Sequence, residues 1–256
     1  FLGSFIPPLV IGVAFGNLLQ GVPFYLDEYM RLYYSGNFFQ LINPFSLLAG
    51  IVSLMMFLTQ GGTYLQMRTS GDVQLKMRGI TQITALVTLL TILIAGIWVV
   101  NSIEGFTVTS VIDRVAQSNP LNKEVVHQAG AWMANYQYYH TLWIVPMLGV
   151  LLPLLTILFS RIGCSAWAFI CSSLTVTCII LTTGITLFPF IMPSSTMAKA
   201  SLTLWDATSS YETLKVMTVV VSIFLPIVLL YVIWCYYKMF GRITKEHIEQ
   251  NTHSLY

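Results

Sequence analysis

The sequence has 256 residues, of which 56% are hydrophobic and 9% are charged, and its mean hydropathy is +0.75. A soluble domain carries about 25% charged residues, so this chain lacks the charge that covers a water-exposed surface. The net charge of +2, with no basic stripe, also excludes a nucleic-acid partner. The composition therefore predicts an all-α polytopic membrane protein whose surface faces lipid.

Stretches long enough to cross a bilayer recur six times along the chain. A spanning helix needs about 20 mainly apolar residues. Apart from Lys238, the last residue of the sixth stretch, no Asp, Glu, Lys or Arg lies in any of them, as expected from a cost of about 2.5–3.5 kcal/mol for a charge at the bilayer centre. The predicted spans are 1–20, 43–66, 79–101, 141–160, 165–190 and 216–238.

The first span begins at Phe1 and is apolar from its first residue. A secretory signal peptide would carry a positively charged region and a small-residue cleavage site, and neither pattern is present. We therefore expect the natural N-terminus to lie upstream of Phe1.

The longest polar interval, residues 102–140, separates the third span from the fourth. It contains enough charge to form an external loop with some structure of its own. Within it, Asn119-Pro120 indicates a turn. The run that follows, from Leu121 to Met133, predicts a helix.

Lysine and arginine counts predict the orientation of the spans. The short segments after the even-numbered spans hold seven basic residues, and the much longer segments after the odd-numbered spans hold five. The short segments and the C-terminus are therefore predicted to be cytoplasmic. The seven residues are Arg68, Lys76, Arg78, Arg161, Lys238, Arg242 and Lys245.

Metal and haem ligands are scarce in the predicted spans. Of the four histidines, only His140 adjoins a span, whereas His127 lies in the external loop and His247 and His253 lie in the tail. Three cysteines recur at intervals of seven, which suits either a metal or redox site or small side chains that pack against a neighbouring helix. The cysteines form no Cys-x-x-Cys pair, and the sequence predicts no catalytic residue and no metal or haem ligated by this chain. The three are Cys164, Cys171 and Cys178.

Uncharged polar residues inside the spans are the remaining candidates for a site. In lipid, an amide or hydroxyl must find a hydrogen-bond partner, so these side chains are predicted to face the protein interior. Two interpretations stay open: a polar path or quinone contact, or hydrogen bonds that join neighbouring helices. The candidates are Asn17, Gln20, Thr59, Gln60 and Thr63.

A secondary transporter is the competing class of protein. Kinked spans with polar residues near their middle suit a transporter, but a proton-coupled one needs acidic, basic or histidine side chains there, and the sequence places none near the middle of a span. No internal repeat of the transporter type is evident either.

Several long segments of the sequence resemble subunit II of the bacterial cytochrome bd quinol oxidases. The resemblance extends over essentially the whole chain, including the tail from Phe240. The segments that carry it are 15–24 (FGNLLQGVPF), 44–50 (PFSLLAG), 59–65 (TQGGTYL), 188–196 (FPFIMPSST), 201–210 (SLTLWDATSS) and 240–256 (FGRITKEHIEQNTHSLY).

The resemblance implies a nine-span subunit of two four-helix bundles and one peripheral helix. On that template the six spans here are the last six of nine. Residues 1–40 would end the first bundle and residues 41–195 would form the second. Residues 196–256 would supply a periplasmic loop, the peripheral helix and a cytoplasmic tail.

The resemblance also implies the function of a non-haem subunit of a terminal oxidase in the bacterial inner membrane. Such a complex oxidises ubiquinol or menaquinol, reduces oxygen to water and builds a proton gradient. Haem b and haem d lie in the partner, subunit I. The expected partners of this chain are subunit I, small single-span accessory subunits, lipid and quinone, with a structural ubiquinone that this subunit can hold.

Overall fold

The computed structural model describes residues 2–110, 119–238 and 241. Asp113 and Arg114 of the predicted external loop lie outside the described residues. So do Arg242 and Lys245, together with the tail histidines His247 and His253.

Eight α-helices and three two-stranded antiparallel sheets make up the described chain. Six helices are long and apolar enough to cross a membrane, which confirms an all-α polytopic membrane protein. In chain order the elements are α1 Leu2–Gln20, β1 Phe24–Leu26, β2 Leu32–Tyr34, α2 Pro44–Arg68, α3 Asp72–Ser102, β3 Glu104–Val108, β4 Val125–Ala129, α4 Ala134–Tyr138, α5 Ile144–Ile162, α6 Ser165–Leu187, β5 Phe190–Met192, β6 Leu202–Thr203, α7 Leu204–Ala207 and α8 Tyr211–Lys238.

The helix ends follow from local chemistry. Asn43 opens α2 by accepting a hydrogen bond from the Ser46 backbone N–H at 2.8 Å, and Pro44 occupies the first helical turn. The third helix begins at Asp72, several residues before the predicted span, because polar side chains can continue a helix beyond the hydrocarbon core. Gly163, in the left-handed conformation at φ 89°, ends α5.

Four of the long helices, α2, α3, α5 and α6, pack around one another, each against two neighbours. Helix α1 packs along α2 through Gly12 and Gly16, whose missing side chains admit the α2 backbone. A Cβ on Gly12 would lie 2.7 Å from the Gly50 Cα, which is closer than atoms can approach. The assignment of these helices to the second of two bundles stays a prediction.

Helix α8 contrasts with the others because none of its residues is buried. Its large apolar side chains are exposed along its whole length. A helix that is apolar all round belongs in lipid or against a partner chain.

The loops divide unequally between the two ends of the helices. Residues 21–43, 103–110, 119–143 and 188–210 lie at the end that we call the long-loop end, where they form all three sheets. The turns 69–71 and 163–164 lie at the opposite, short-loop end.

The predicted helix from Leu121 to Met133 is wrong. Residues Val125–Ala129 form strand β4, which pairs antiparallel with β3 and places Phe106 opposite His127. The pairing satisfies the backbone groups of each strand that face the other and buries Phe106 in the loop core, whereas a short isolated helix is marginal in water. The Asn119-Pro120 turn is present, and the Asn119 side chain accepts a hydrogen bond from the Leu121 backbone N–H at 2.9 Å.

The long-loop end has a hydrophobic core of its own. Phe106, Trp132 and Phe190 pack together, with ring centroids 5.8–6.5 Å apart. The Trp132 indole Nε1–H donates to the Leu19 carbonyl at 3.1 Å and so ties this core to the end of α1. We call this layer the loop cap.

Candidate functional site

The interior of the four-helix bundle is lined by hydroxyl groups. These hydroxyls allow the helices to pack closely, because each one can donate to a carbonyl one turn earlier in its own helix and still accept a hydrogen bond from the next helix. The hydroxyls that surround the centre of the bundle, all buried, belong to Thr59, Thr84, Thr88, Thr156, Ser172 and Thr175.

Thr59 is the residue through which α2 joins this hydroxyl group. Its Oγ1 lies 2.8 Å from the Met55 carbonyl and 3.0 Å from the Thr84 Oγ1 on α3. Beside it is a cavity of about 10 Å³, enclosed by side chains of all four helices. A cavity of this size has room for about one water molecule and none for a quinone ring.

Thr63 lies on the same face of α2 and is fully buried. Its hydroxyl donates to the Gln60 carbonyl at 2.8 Å. Its neighbour Gly62 admits Thr81 of α3 in direct contact. The Thr63 side chain therefore satisfies its own helix and contributes to helix packing.

Gln60 faces a different neighbour, α6. Its Nε2 donates to the Ser173 Oγ at 2.7 Å, while the Ser173 hydroxyl donates to the Phe169 carbonyl at 2.9 Å. Since the Ser173 proton is already used, Gln60 must present Nε2 to Ser173. Its Oε1 is then buried with no partner in the described part of the chain.

Asn17 uses its whole amide within the protein. Its Nδ2 donates to the Val13 and Leu41 carbonyls, both at 2.8 Å, and its Oδ1 accepts from the Asn43 Nδ2 at 3.1 Å. It therefore joins the end of α1 to the start of α2. Gln20, one turn later, is partly exposed where α1 ends. The structure thus groups Thr59, Gln60 and Thr63 on α2 and separates them from Asn17 and Gln20.

Sequence reasoning missed a second amide on the inner face of α2. Gln66 is fully buried; its Oε1 accepts from the Ser160 Oγ at 3.0 Å and its Nε2 donates to the Met77 carbonyl at 3.3 Å. The signal was its spacing, seven residues after Thr59 and three after Thr63, which places all three on one helix face.

An ion pair in the loop cap was also missed. The Lys123 Nζ lies 2.6 Å from the Asp206 Oδ2, and the two side chains are 4% and 10% exposed. Asp206 Oδ2 also accepts from the Thr203 backbone N–H at 3.1 Å. The two charges are 83 residues apart, so no local sequence pattern connects them.

The cysteines and histidines lie apart from one another. Cys171 and Cys178 pack with Leu152 between α5 and α6, while Cys164 is exposed. The His127 Nδ1 lies 3.2 Å from a Glu104 carboxylate oxygen on the loop cap. No group of three or more His, Cys, Asp or Glu side chains suited to a metal ion occurs in residues 2–110 and 119–238.

The fold and the charge-free interior of the bundle define a polytopic α-helical membrane protein built around buried hydroxyl and amide contacts. The family profile of cytochrome bd terminal oxidase subunit II matches residues 1–239. The chain belongs to this family.

Proteins similar to this chain occur in several bacteria. The chain is 65% identical to cytochrome bd-I ubiquinol oxidase subunit 2 of Escherichia coli K12, over all of this chain and 68% of that protein. It is 46% identical to a probable cytochrome oxidase subunit 2 of Haemophilus influenzae over the same shares. Identity to the Bacillus subtilis cytochrome bd ubiquinol oxidase subunit 2 is 28%, over 96% of this chain and 63% of that protein.

Family membership makes the chain a subunit of an oxidoreductase complex and a multi-pass protein of the bacterial inner membrane. It also implies a partner oxidase subunit that carries the haem cofactors. The transporter alternative is not favoured, because no comparison supports it and the full length of the chain aligns with oxidase subunits.

Proposed function

We propose that this chain is the non-haem subunit of a quinol oxidase that oxidises ubiquinol or menaquinol, reduces oxygen to water and builds a proton gradient. The observation that carries the proposal is the 65% identity, over the whole chain, to a ubiquinol oxidase subunit. The chain's own contribution is structural: it presents apolar helix faces to the haem-bearing subunit I, to small single-span subunits and to lipid.

Two surfaces are suited to that contribution. Helix α8 exposes its apolar side chains all round, and α1 exposes the face that turns away from α2, including Phe5, Val10 and Phe15. We assign residues 1–40 to the end of a first bundle, 41–195 to a second bundle and 196–256 to the loop, peripheral helix and tail.

The orientation of the complex follows from charge. Arg68, Lys76, Arg78 and Arg161 all lie at the short-loop end, which we place in the cytoplasm together with the C-terminus. The loop cap then lies in the periplasm, on the side where quinol oxidation would release protons.

Gln60 is the residue through which this chain would hold a quinol. Its unpartnered Oε1 can accept a hydrogen bond from a quinol hydroxyl, whereas a quinone carbonyl has no proton to donate. Next to it, Gly61 is exposed and has open space around it, and one turn later Tyr64 packs on Phe169 of α6. The contact between α2 and α6 thus offers one buried acceptor beside an exposed glycine and an aromatic pair.

Replacing Gln60 with Leu tests this site in the intact complex. The expected result is an about tenfold loss of tightly bound quinol, because the substitution removes one hydrogen bond to the ligand. The ligand would be extracted from the purified complex and quantified by chromatography, with haem content as the measure of intact complex.

Gln82→Leu is the matched control, since Gln82 is a partly buried amide that lies on α3 and not on α2 or α6. The Gln82→Leu complex should retain as much bound quinol as the wild type. If the Gln60→Leu complex bound as much quinol as the wild type, Gln60 would not belong to the site. The Asn17 amide is fully used within the chain, so Asn17→Leu should change the amount of bound quinol only if it disturbs the fold.

The structural role is tested by removing this chain from cells that make subunit I. We expect subunit I to lose its assembled haems and its oxidase activity. A subunit I that remains fully assembled and active on its own would contradict the proposed role.

A further inference from the structure

The turn between α5 and α6 at the short-loop end exposes the start of a long helix. Cys164 precedes α6 and makes no side-chain hydrogen bond to the first turn. Ser165, the first helical residue, is 4% exposed, and its hydroxyl has no partner among the described residues. The Ser165 N–H bonds the Gly163 carbonyl at 3.0 Å, while the N–H groups of Ala166 and Trp167 come before the first i→i−4 bond of the helix, and an N-terminus of this kind favours an anion.

A cationic side chain reaches the same turn from α3. The Arg78 Nη2 lies 3.0 Å from the position that a Cβ on Gly163 would occupy. The Arg78 Nε is buried and has no hydrogen-bond partner in the described part of the chain. Asp72 is exposed and is the sole carboxylate at the described short-loop end, and no ion pair joins it to Arg78.

Two further residues place this turn at the depth of lipid headgroups. Trp167, in the first turn of α6, is 59% exposed and contacts Phe159 at a ring-centroid distance of 6.2 Å. Exposed tryptophan prefers the layer between hydrocarbon and water. Arg161, also exposed, adds a second positive charge two residues before Gly163.

We propose that Arg78, the Ser165 hydroxyl and the N–H groups of Ala166 and Trp167 bind a phosphate group at this turn, and that it belongs to an anionic phospholipid of the adjoining leaflet. Guanidinium forms paired, charge-assisted hydrogen bonds with phosphate, and basic pockets between helices bind acidic headgroups. The site goes beyond the oxidase role and does not depend on it.

The test uses the full complex reconstituted in nanodiscs of phosphatidylcholine mixed with phosphatidylglycerol. After exchange into detergent, the retained lipids are quantified by mass spectrometry. The wild type should retain phosphatidylglycerol in preference to phosphatidylcholine. Arg78→Gln should lower that retention about tenfold, the scale of a lost charge-assisted contact, and Ser165→Ala should lower it less.

Lys76→Gln is the control, because it removes the same charge from an exposed position on α3 and should leave retention unchanged. An equal loss in Lys76→Gln and Arg78→Gln would overturn the site in favour of general surface charge. A wild type that does not enrich phosphatidylglycerol would overturn it without any variant. Inorganic phosphate that binds the delipidated complex, with no enrichment of phosphatidylglycerol, would overturn the lipid as its source.

Discussion

The long-loop end and the short-loop end of the helices differ in how they arrange their apolar and charged side chains. At the long-loop end the chain builds the loop cap, with an aromatic core and a buried pair, Lys123–Asp206. At the short-loop end the turn 163–164 lies beside Arg78 and Arg161, and neither forms an ion pair with a carboxylate among the described residues. Water drives apolar side chains together in the loop cap, whereas we propose that the cations of the short-loop end meet the lipid headgroup layer.

The largest expected difference in stability is between substitutions of two tryptophans, Trp132 at the long-loop end and Trp167 at the short-loop end. Trp132→Ala empties the centre of the loop cap, where the indole is 2% exposed and bonded to α1, and should lower the free energy of unfolding of the cap by about 3–5 kcal/mol. Hydrogen exchange of the Glu104–Val108 amides measures that local stability. Trp167→Ala, at the short-loop end, should leave those amides protected. An equal loss of protection in both variants would contradict the claim that the loop cap has a hydrophobic core of its own.

Breaking the buried ion pair between Lys123 and Asp206 should cause the next largest loss of loop-cap stability. Lys123→Met leaves the Asp206 carboxylate without its charge partner inside the cap, which costs about 3 kcal/mol when a buried pair is broken. The same exchange experiment measures the effect. Arg31→Gln breaks an exposed pair with Asp27 and should change little, because water already screens those charges. A cap as stable in Lys123→Met as in wild type would show that the pair contributes nothing.

A smaller effect concerns the pH dependence of this pair. Burial raises the pKa of Asp206, but hydrogen bonds from Lys123 and Thr203 outweigh it and hold that pKa below its ordinary value of 3.8. A carboxyl with a lowered pKa stabilises the fold above its unfolded pKa and loses that contribution as pH falls through the folded value. The stability advantage of wild type over Asp206→Asn should thus be constant from about pH 5 upward and shrink below about pH 4. An advantage that changes between pH 6 and 8 would contradict this assignment.

Prediction from the sequence succeeded where the signal is local and failed where it is not. The six spans follow from hydropathy, since each satisfies its own backbone within one helix. Strand β4 was predicted as part of a helix because its partner β3 lies beyond residues 109–124, and its apolar residues carry no period that reveals the pairing.

For the candidate polar residues too, one property could be predicted from local sequence and another could not. Their burial was predictable, because an amide or hydroxyl in a span must face the protein. Which neighbour each one meets was not, since Gln60 contacts Ser173 and Thr59 contacts Thr84 only through the packing of three helices. Ligand binding by Asn17, Gln20, Thr59, Gln60 and Thr63 stays a prediction.

The central claim is that this chain works as the non-haem partner in a cytochrome bd oxidase. The most direct measurement is the absorption spectrum of the complex that co-purifies with the tagged chain from membranes. We predict the bands of b- and d-type haem together with quinol-dependent oxygen consumption. A purified chain that brings down no haem-bearing subunit and shows neither set of bands would contradict the account.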